Sequence, residues 1–330
     1  MLSTYSDAVL KVRNLTVPFA LDGKRVVIVD NVSFDLHKGK TVAIVGESGS
    51  GKTTLALAIV SALPTPPSLT VEGEVLYKGQ NIITLSTKEK NKIRGSKIAM
   101  IFQDPNASLN PVFTIREQMQ EVIDLHLDLD EEESDALLLK SLNEVKIDSP
   151  LVTLGKYPHQ LSGGQKQRIM IAMAIMVKPD ILIADEPTTA LDATIQKEII
   201  DLIDELKTKL NMATLLITHD MGLVAEVADV VLVMYASQVV EQGDKETVLR
   251  HPAHPYTQAL IETLPAKNKE LKPIKGFIPS PSNKPTGCLF HPRCPFKWER
   301  CIKEKVEMYP VREHQEARCF LYDPAEGKKP

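Results

Sequence analysis

Hydrophobic positions along this chain follow two rhythms. Residues 9–12, 26–29, 32–36 and 41–45 are short runs rich in β-branched side chains, parted by turn signals such as Asp22-Gly23 and Lys38-Gly39. They predict strands that build a β-subdomain core. Further strands are expected at 71–76, 97–102, 181–184, 213–218 and 230–234, the last leading into a hairpin through Ala236-Ser237. Helical spacing predicts helices at 55–61, 165–177, 193–210 and 221–227, with Pro64, Pro66 and Pro67 breaking the first. From 115 to 154 the chain reads as helical, and its acidic run 128–133 reads as a solvated helix start rather than a metal site. Strands alternating with helices imply a parallel sheet with covered faces, into which the helical stretch is inserted.

Composition narrows the class. The chain has 330 residues, 43% hydrophobic and 25% charged, enough for about two ordinary globular domains with a proper core. Its net charge of -4 argues against a nucleic-acid binder. Residues 1–8 show no secretory pattern, and no run approaches the roughly 18 apolar residues of a membrane helix, so a soluble, intracellular protein is expected. Beyond Gly243 the composition shifts. Pro252, Pro255, Pro265, Pro273, Pro279, Pro281 and Pro285 mark an appendix, and all four cysteines follow.

The candidate chemistry begins at Gly46-Glu47-Ser48-Gly49-Ser50-Gly51-Lys52-Thr53, with Thr54 beside it, between an expected strand and an expected helix. Gly46, Gly49 and Gly51 let backbone N–H groups cradle phosphate oxygens; Lys52 reaches the β- and γ-phosphates, and the Thr53 hydroxyl suits Mg2+. The helix N-terminus adds partial positive charge. Asp185-Glu186 closes an apolar strand, which puts Asp185 where it can hold Mg2+ and Glu186 where it can polarise an attacking water. Leu161-Ser162-Gly163-Gly164-Gln165 offers a hydroxyl, two glycines permitting close backbone approach, and a helix start.

That last segment matches the signature motif of ABC ATPases without a departure, and the chain resembles that family. The resemblance implies an α/β fold of the ABC-type P-loop ATPase class over residues 1–243: a parallel or mixed sheet core, an antiparallel β-subdomain, and a helical subdomain at about 104–165. It implies that Ser162, Gly163, Gly164 and Gln165 face the γ-phosphate of ATP held by a second ABC ATPase subunit, a paralogue or another copy. Gln103 resembles the lid-loop glutamine, Ala190-Leu191-Asp192 the dimer-interface loop, and His219 the switch histidine. An aromatic stacked on adenine is expected at Phe19, with Tyr5 the alternative. Residues 104–111 and His254-Pro255-Tyr256-Thr257 resemble segments of dipeptide and oligopeptide importer ATPases. Ala236-Ser237 departs from the glycine usual at that turn, and a surface turn tolerates it.

This subgroup implies two transmembrane permease subunits, an extracytoplasmic solute-binding protein reached indirectly, and a place on the cytoplasmic face of the membrane. Nickel and oligosaccharide importers are alternatives, as is a soluble ABC ATPase without a transporter. Against the last stand the missing heptad insertion and the missing second motif set.

Residues 244–330 are expected to form a small extension around Cys288, Cys294, Cys301 and Cys319, separated by five, six and seventeen residues. Zinc favours ligand pairs about two to four residues apart. Wider spacing suits thiolates around an iron–sulfur cluster, and zinc or no metal stay open. The subgroup resemblance implies a [4Fe-4S] cluster on these four thiolates. His291 could substitute as a ligand, though a local turn role fits it better. Arg293, Lys297, Arg300, Lys303 and Lys305 interleave with Phe290, Phe296 and Trp298, a pattern that also suits nucleic acid, but a small stapled fold needs such aromatics as its core.

Overall fold

A computed structural model describes residues 8–21, 23–63, 70–189, 191–263 and 274–326. Tyr5, Asp22, Pro64, Pro66, Pro67, Ala190, Pro265 and Pro273 lie outside the described residues. The chain divides into two compact units, 1–37 with 41–83 and 217–330, and 38–40 with 84–216.

In the first unit β1 (Ala8–Leu21) and β2 (Lys24–His37) pair antiparallel, with Val17 opposite Val29 and Phe19 opposite Val26. The runs 26–29 and 32–36, expected as separate strands, are one strand. Asn31 at φ 53° is a left-handed residue that shifts the alternation, so Val29 and Val32 are both buried across a gap of three. Such a bulge breaks the period-2 signal without ending the strand. β4 (Glu72–Tyr77) and β5 (Gln80–Asn81) complete an antiparallel sheet in the order β2-β1-β4-β5.

The other sheet segment of this unit starts from β3 (Thr41–Val45), five buried residues in a row. It runs parallel to β9 (Val230–Tyr235), which turns through Ala236-Ser237 into antiparallel β10 (Gln238–Asp244). From the C-terminal residues β12 (Gln315–Ala317) pairs with β10, and β11 (Tyr309–Arg312) with β12. Leu289 and Phe290 enter the same apolar cluster as Val45, Val231, Val233 and Tyr235. The cysteine-bearing tail is thus packed on a shared core, which a segment this small could not supply alone. Of the three aromatics expected in its core, Phe290 is buried and Trp298 half-buried, but Phe296 is 54% exposed and stays outside it; Phe320 is buried in its place. Arg300 pairs with Asp323 and Lys303 with Glu299.

In the second unit β6 (Ile98–Ile101) runs parallel to β7 (Ile181–Asp185), in the order β8-β7-β6 with β8 (Ala213–Thr218). Helices Ile115–His126, Glu131–Glu144 and Pro150–Leu154 fill the predicted helical stretch. The acidic run is a helix start: Asp130 caps Glu133 N, and Glu133 returns to the backbone of Asp130. Such a box satisfies two helix donors that would otherwise lack partners. No helix among the described residues is long and apolar enough to cross a membrane.

Candidate functional site

The phosphate loop follows β3 and opens helix Lys52–Ile59. That helix begins three residues before the predicted start because the motif's lysine is its first residue. Gly46, Gly49 and Gly51 have φ of 155°, 80° and 102°. A Cβ on Gly46 would run into the carbonyl of Met234, and one on Gly51 into that of Ile28. Only glycine suits these two positions, so the loop folds around its own backbone. Lys52 is buried, and its Nζ donates to the carbonyls of Gly46 at 2.9 Å and Glu47 at 3.0 Å. Ser50 Oγ is buried and meets no hydrogen-bond partner among the described residues. A concave backbone with a central ammonium and an unsatisfied hydroxyl has the chemistry of a phosphate cradle.

The Ala236-Ser237 turn is not at the surface. Ala236 and Ser237 are 3% and 1% exposed, at φ 46° and 83°. Ser237 N donates to Ser50 O at 3.0 Å, and Ser237 O accepts from Asp30 N at 2.8 Å. The turn therefore braces the phosphate loop against β2, and this anchoring offsets the cost of two left-handed non-glycine residues.

In the second unit Asp185 ends β7, 1% exposed, and Glu186 follows at φ 45°. Gln103, exposed after β6, donates from Nε2 to Glu186 Oε2 at 3.1 Å, and Thr189 Oγ1 donates to the same oxygen at 2.9 Å. The structure thus brings together Gln103 and Glu186, and adds Thr189, which the sequence did not single out. Two donors on one oxygen fix the carboxylate's direction, and a strained backbone at such a point is typical of functional sites.

Helix Gly163–Ile175 starts two residues earlier than predicted, so Gly163 and Gly164 are its first turn. Ser162 is its N-cap: its Oγ accepts from Gln165 N at 3.3 Å, and Gln165 Oε1 accepts from Ser162 N at 3.1 Å. A Cβ on Gly164 would lie 3.0 Å from Ile195 Cγ2, and one on Gly163 3.3 Å from Leu191 Cδ2. The glycines therefore also admit the neighbouring helix start, where Asp192 Oδ1 caps Thr194 N and Ile195 N, each at 3.1 Å. Ser162 and Gly163 are exposed.

His219 is exposed directly after β8, and Phe19 is half-buried near the end of β1. Cys288, Cys294, Cys301 and Cys319 are free thiols lining one small pocket with Phe290, Trp298 and Phe320. Burial pushes the Cys288 thiol up to about 11 and that of Cys319 up to about 12, and raises Cys294 as well. Among the described residues no group of three or more His, Cys, Asp or Glu is gathered closely enough for a metal ion. His291 Nδ1 lies 2.9 Å from Cys288 O, a local turn contact.

Tyr256 and Arg293 also reach the loop, contacts that the sequence does not signal. The Tyr256 hydroxyl accepts from Glu47 N, and Arg293 forms a two-pronged ion pair with the Glu47 carboxylate. The motif around Tyr256 gains a physical basis here. His254 Nδ1 accepts from Tyr256 N at 3.0 Å, so it caps helix Pro255–Glu262 as a neutral ring, its pKa lowered to about 3 mainly by burial. Buried Glu241 accepts from Ala253 N, His254 N and Gln315 Nε2.

Known proteins are similar to this chain in sequence and fold. The family described as "ABC transporter" matches residues 29–189, and "Oligopeptide/dipeptide transporter, C-terminal region" matches residues 240–301. The dipeptide transport ATP-binding protein DppD of Escherichia coli (strain K12) is 45% identical over 315 residues, 94% of this chain and 96% of that protein. The oligopeptide transport ATP-binding protein AppD of Bacillus subtilis (strain 168) is 41% identical over 320 residues, 96% and 98% of the two chains. A dimeric ATP-binding cassette solved in a post-hydrolysis state with ADP and Pi superposes with a TM-score of 0.63 at 28% identity, covering 72% of this chain and 98% of that one.

Proposed function

Because this chain belongs to the ABC transporter family of ATP-binding proteins, we propose that it is the ATP-hydrolysing motor of a dipeptide and oligopeptide importer. The carrying observation is a complete phosphate cradle on a chain similar along nearly its whole length to a dipeptide transport ATP-binding protein. The match of residues 240–301 supports the peptide class.

The roles follow the chemistry of each group. Backbone N–H groups of 46–51 and Lys52 hold the phosphates. Thr53, Gln103 and Asp185 supply the hard oxygen donors that suit Mg2+, which when bound spreads the charge of the phosphates. Glu186 takes the proton of the attacking water, directed by Gln103 and Thr189. His219 contacts the γ-phosphate, and Phe19 stacks on adenine. Ser162, Gly163, Gly164 and Gln165 bind ATP held by a second ATPase subunit, with Asp192 at the same boundary. Support comes from the exposure of Ser162 and Gly163 and from the dimeric form of the similar cassette. Closing two such subunits over ATP, and reopening after hydrolysis, converts differential affinity into motion.

The permease subunits would seat in a groove of about 220 Å3 lined by Met100, Phe102, Leu109, Val122, Met170 and Met173. The protein then works peripherally on the cytoplasmic face, meeting the solute-binding protein only through the permease. Four cysteines around an apolar pocket suit a [4Fe-4S] cluster as donors. Anaerobically purified chain should contain iron and acid-labile sulfide in equal amounts, lost on Cys319→Ser. One zinc per chain, or no metal, would refute the cluster.

For the function, cells carrying Glu186→Gln in place of the wild-type chain should stop taking up labelled dipeptides. Normal peptide uptake with loss of nickel or oligosaccharide uptake would move the assignment to that solute.

A further inference from the structure

We propose that Arg293 and Tyr256 are positioning residues for the phosphate loop, through which the C-terminal tail keeps Glu47 and the adjoining amides shaped for a nucleoside triphosphate. The inference builds on the reading of residues 46–53 as the ATP site. Arg293 Nη1 donates to Glu47 Oε2 at 2.6 Å and Nη2 to Oε1 at 3.0 Å. The Arg293 side chain is 4% exposed. Its Nε donates to Lys275 O at 2.9 Å, and its guanidinium lies 5.7 Å from the centre of the Tyr235 ring. A guanidinium gripped on every side presents a fixed fork, and a two-pronged pair sets direction as well as strength.

Tyr256, fully buried, packs its ring 4.7 Å from Tyr235 and 5.4 Å from Phe290, and its hydroxyl accepts from Glu47 N at 2.9 Å. Three anchors therefore meet at one loop residue: Tyr256 on its N–H, Arg293 on its carboxylate, and Lys52 on its carbonyl. When Lys52 turns to a phosphate it gives up the Glu47 carbonyl. The two tail anchors remain, so the loop does not loosen as the ligand arrives. Preorganisation of this kind raises affinity by lowering the cost of ordering. Arg293 lies between Cys288 and Cys294 in sequence, so the fold of the cysteine segment governs its reach.

The test is MgATP titration of the full chain, in a Glu186→Gln background so that ligand persists. Arg293→Gln and Glu47→Gln should each weaken binding about tenfold, and the double variant no more than either alone, because they remove one shared contact. Arg293→Lys, which keeps charge without the fork, should restore only part. Amide hydrogen exchange at 46–51 should rise in Arg293→Gln while that of Ile181–Asp185 stays unchanged. Should Arg293→Gln fail to fold, Tyr256→Phe, which keeps the ring, carries the test by the same two readouts. Unchanged affinity and exchange in a folded variant, or additive losses in the double variant, would overturn the proposal. Lys52→Ala separates the two levels: if it still binds ATP like wild type, the ATP-site reading fails. If it loses binding while the tail variants keep theirs, only the positioning role fails.

Discussion

The phosphate loop carries three glycines at positive φ, wound around a buried lysine, whereas Gly163 and Gly164 lie in the first turn of a helix with neither at positive φ. Both segments offer small residues and a helix N-terminus to an anion. The loop closes on itself: Met234 and Ile28 carbonyls stand where side chains would be, and Ser237 braces it from behind. The other segment is open. Ser162 is exposed, and its cap is completed locally by Gln165. A cradle can hold a phosphate by itself. An exposed helix end has partial charge and one hydroxyl, too little to retain ATP alone, and it becomes useful when a phosphate is presented to it. Glycine thus serves opposite ends in the two places: conformational freedom at Gly46 and Gly51, and room for Leu191 and Ile195 at Gly163 and Gly164.

The largest effect should come from the group that acts on a phosphate once both segments have engaged it. Glu186→Gln is expected to lower turnover by about 10²–10⁴ while MgATP affinity holds, measured by single-turnover phosphate release and equilibrium binding. Unchanged release would remove Glu186 as the base. Next, Gly46→Ala and Gly163→Ala test the contrast directly. Gly46→Ala should reduce ATP affinity of the isolated chain at least about tenfold, since the new methyl meets backbone that cannot move aside. Gly163→Ala should leave that affinity unchanged, because its methyl meets only the flexible end of Leu191 and its helix gains a better former. Equal losses in the two variants would erase the distinction. The smallest effect is expected from Phe19→Ala, a roughly fivefold loss of ATP affinity from lost stacking, with inorganic triphosphate binding unaltered.

Local chemistry made much of this legible. Helices Ala193–Leu210 and Met221–Val227 and strand Ala213–Thr218 sit where periodicity places them, since their caps, Asp192 and Asp220, are adjacent in sequence. The phosphate loop was legible because its glycines answer to backbone geometry within eight residues. β2 was read as two strands because Asn31 shifts the burial phase without any glycine or proline to mark a bulge. Ala236-Ser237 looked like a surface turn because no local signal says that Ser50 and Asp30 hold it in the interior. Tyr256 and Arg293 lie 209 and 246 residues from Glu47, and no period or spacing reports a contact at that separation. Thr189 escaped notice although it lies three residues from Glu186, because a threonine after a proline turn suggests only local capping.

We propose that ATP bound to this loop is hydrolysed only when a second subunit's Ser-Gly-Gly-Gln segment covers it, and that this chain's own segment does the same for ATP held by that subunit. The most direct measurement is ATP turnover of the assembled importer carrying Gly163→Arg in every subunit of this family, alongside nucleotide binding by each isolated chain. The prediction is turnover lost with binding intact. Turnover at the wild-type rate, or at that rate from an isolated monomer, would show that the second subunit's segment is not needed for hydrolysis.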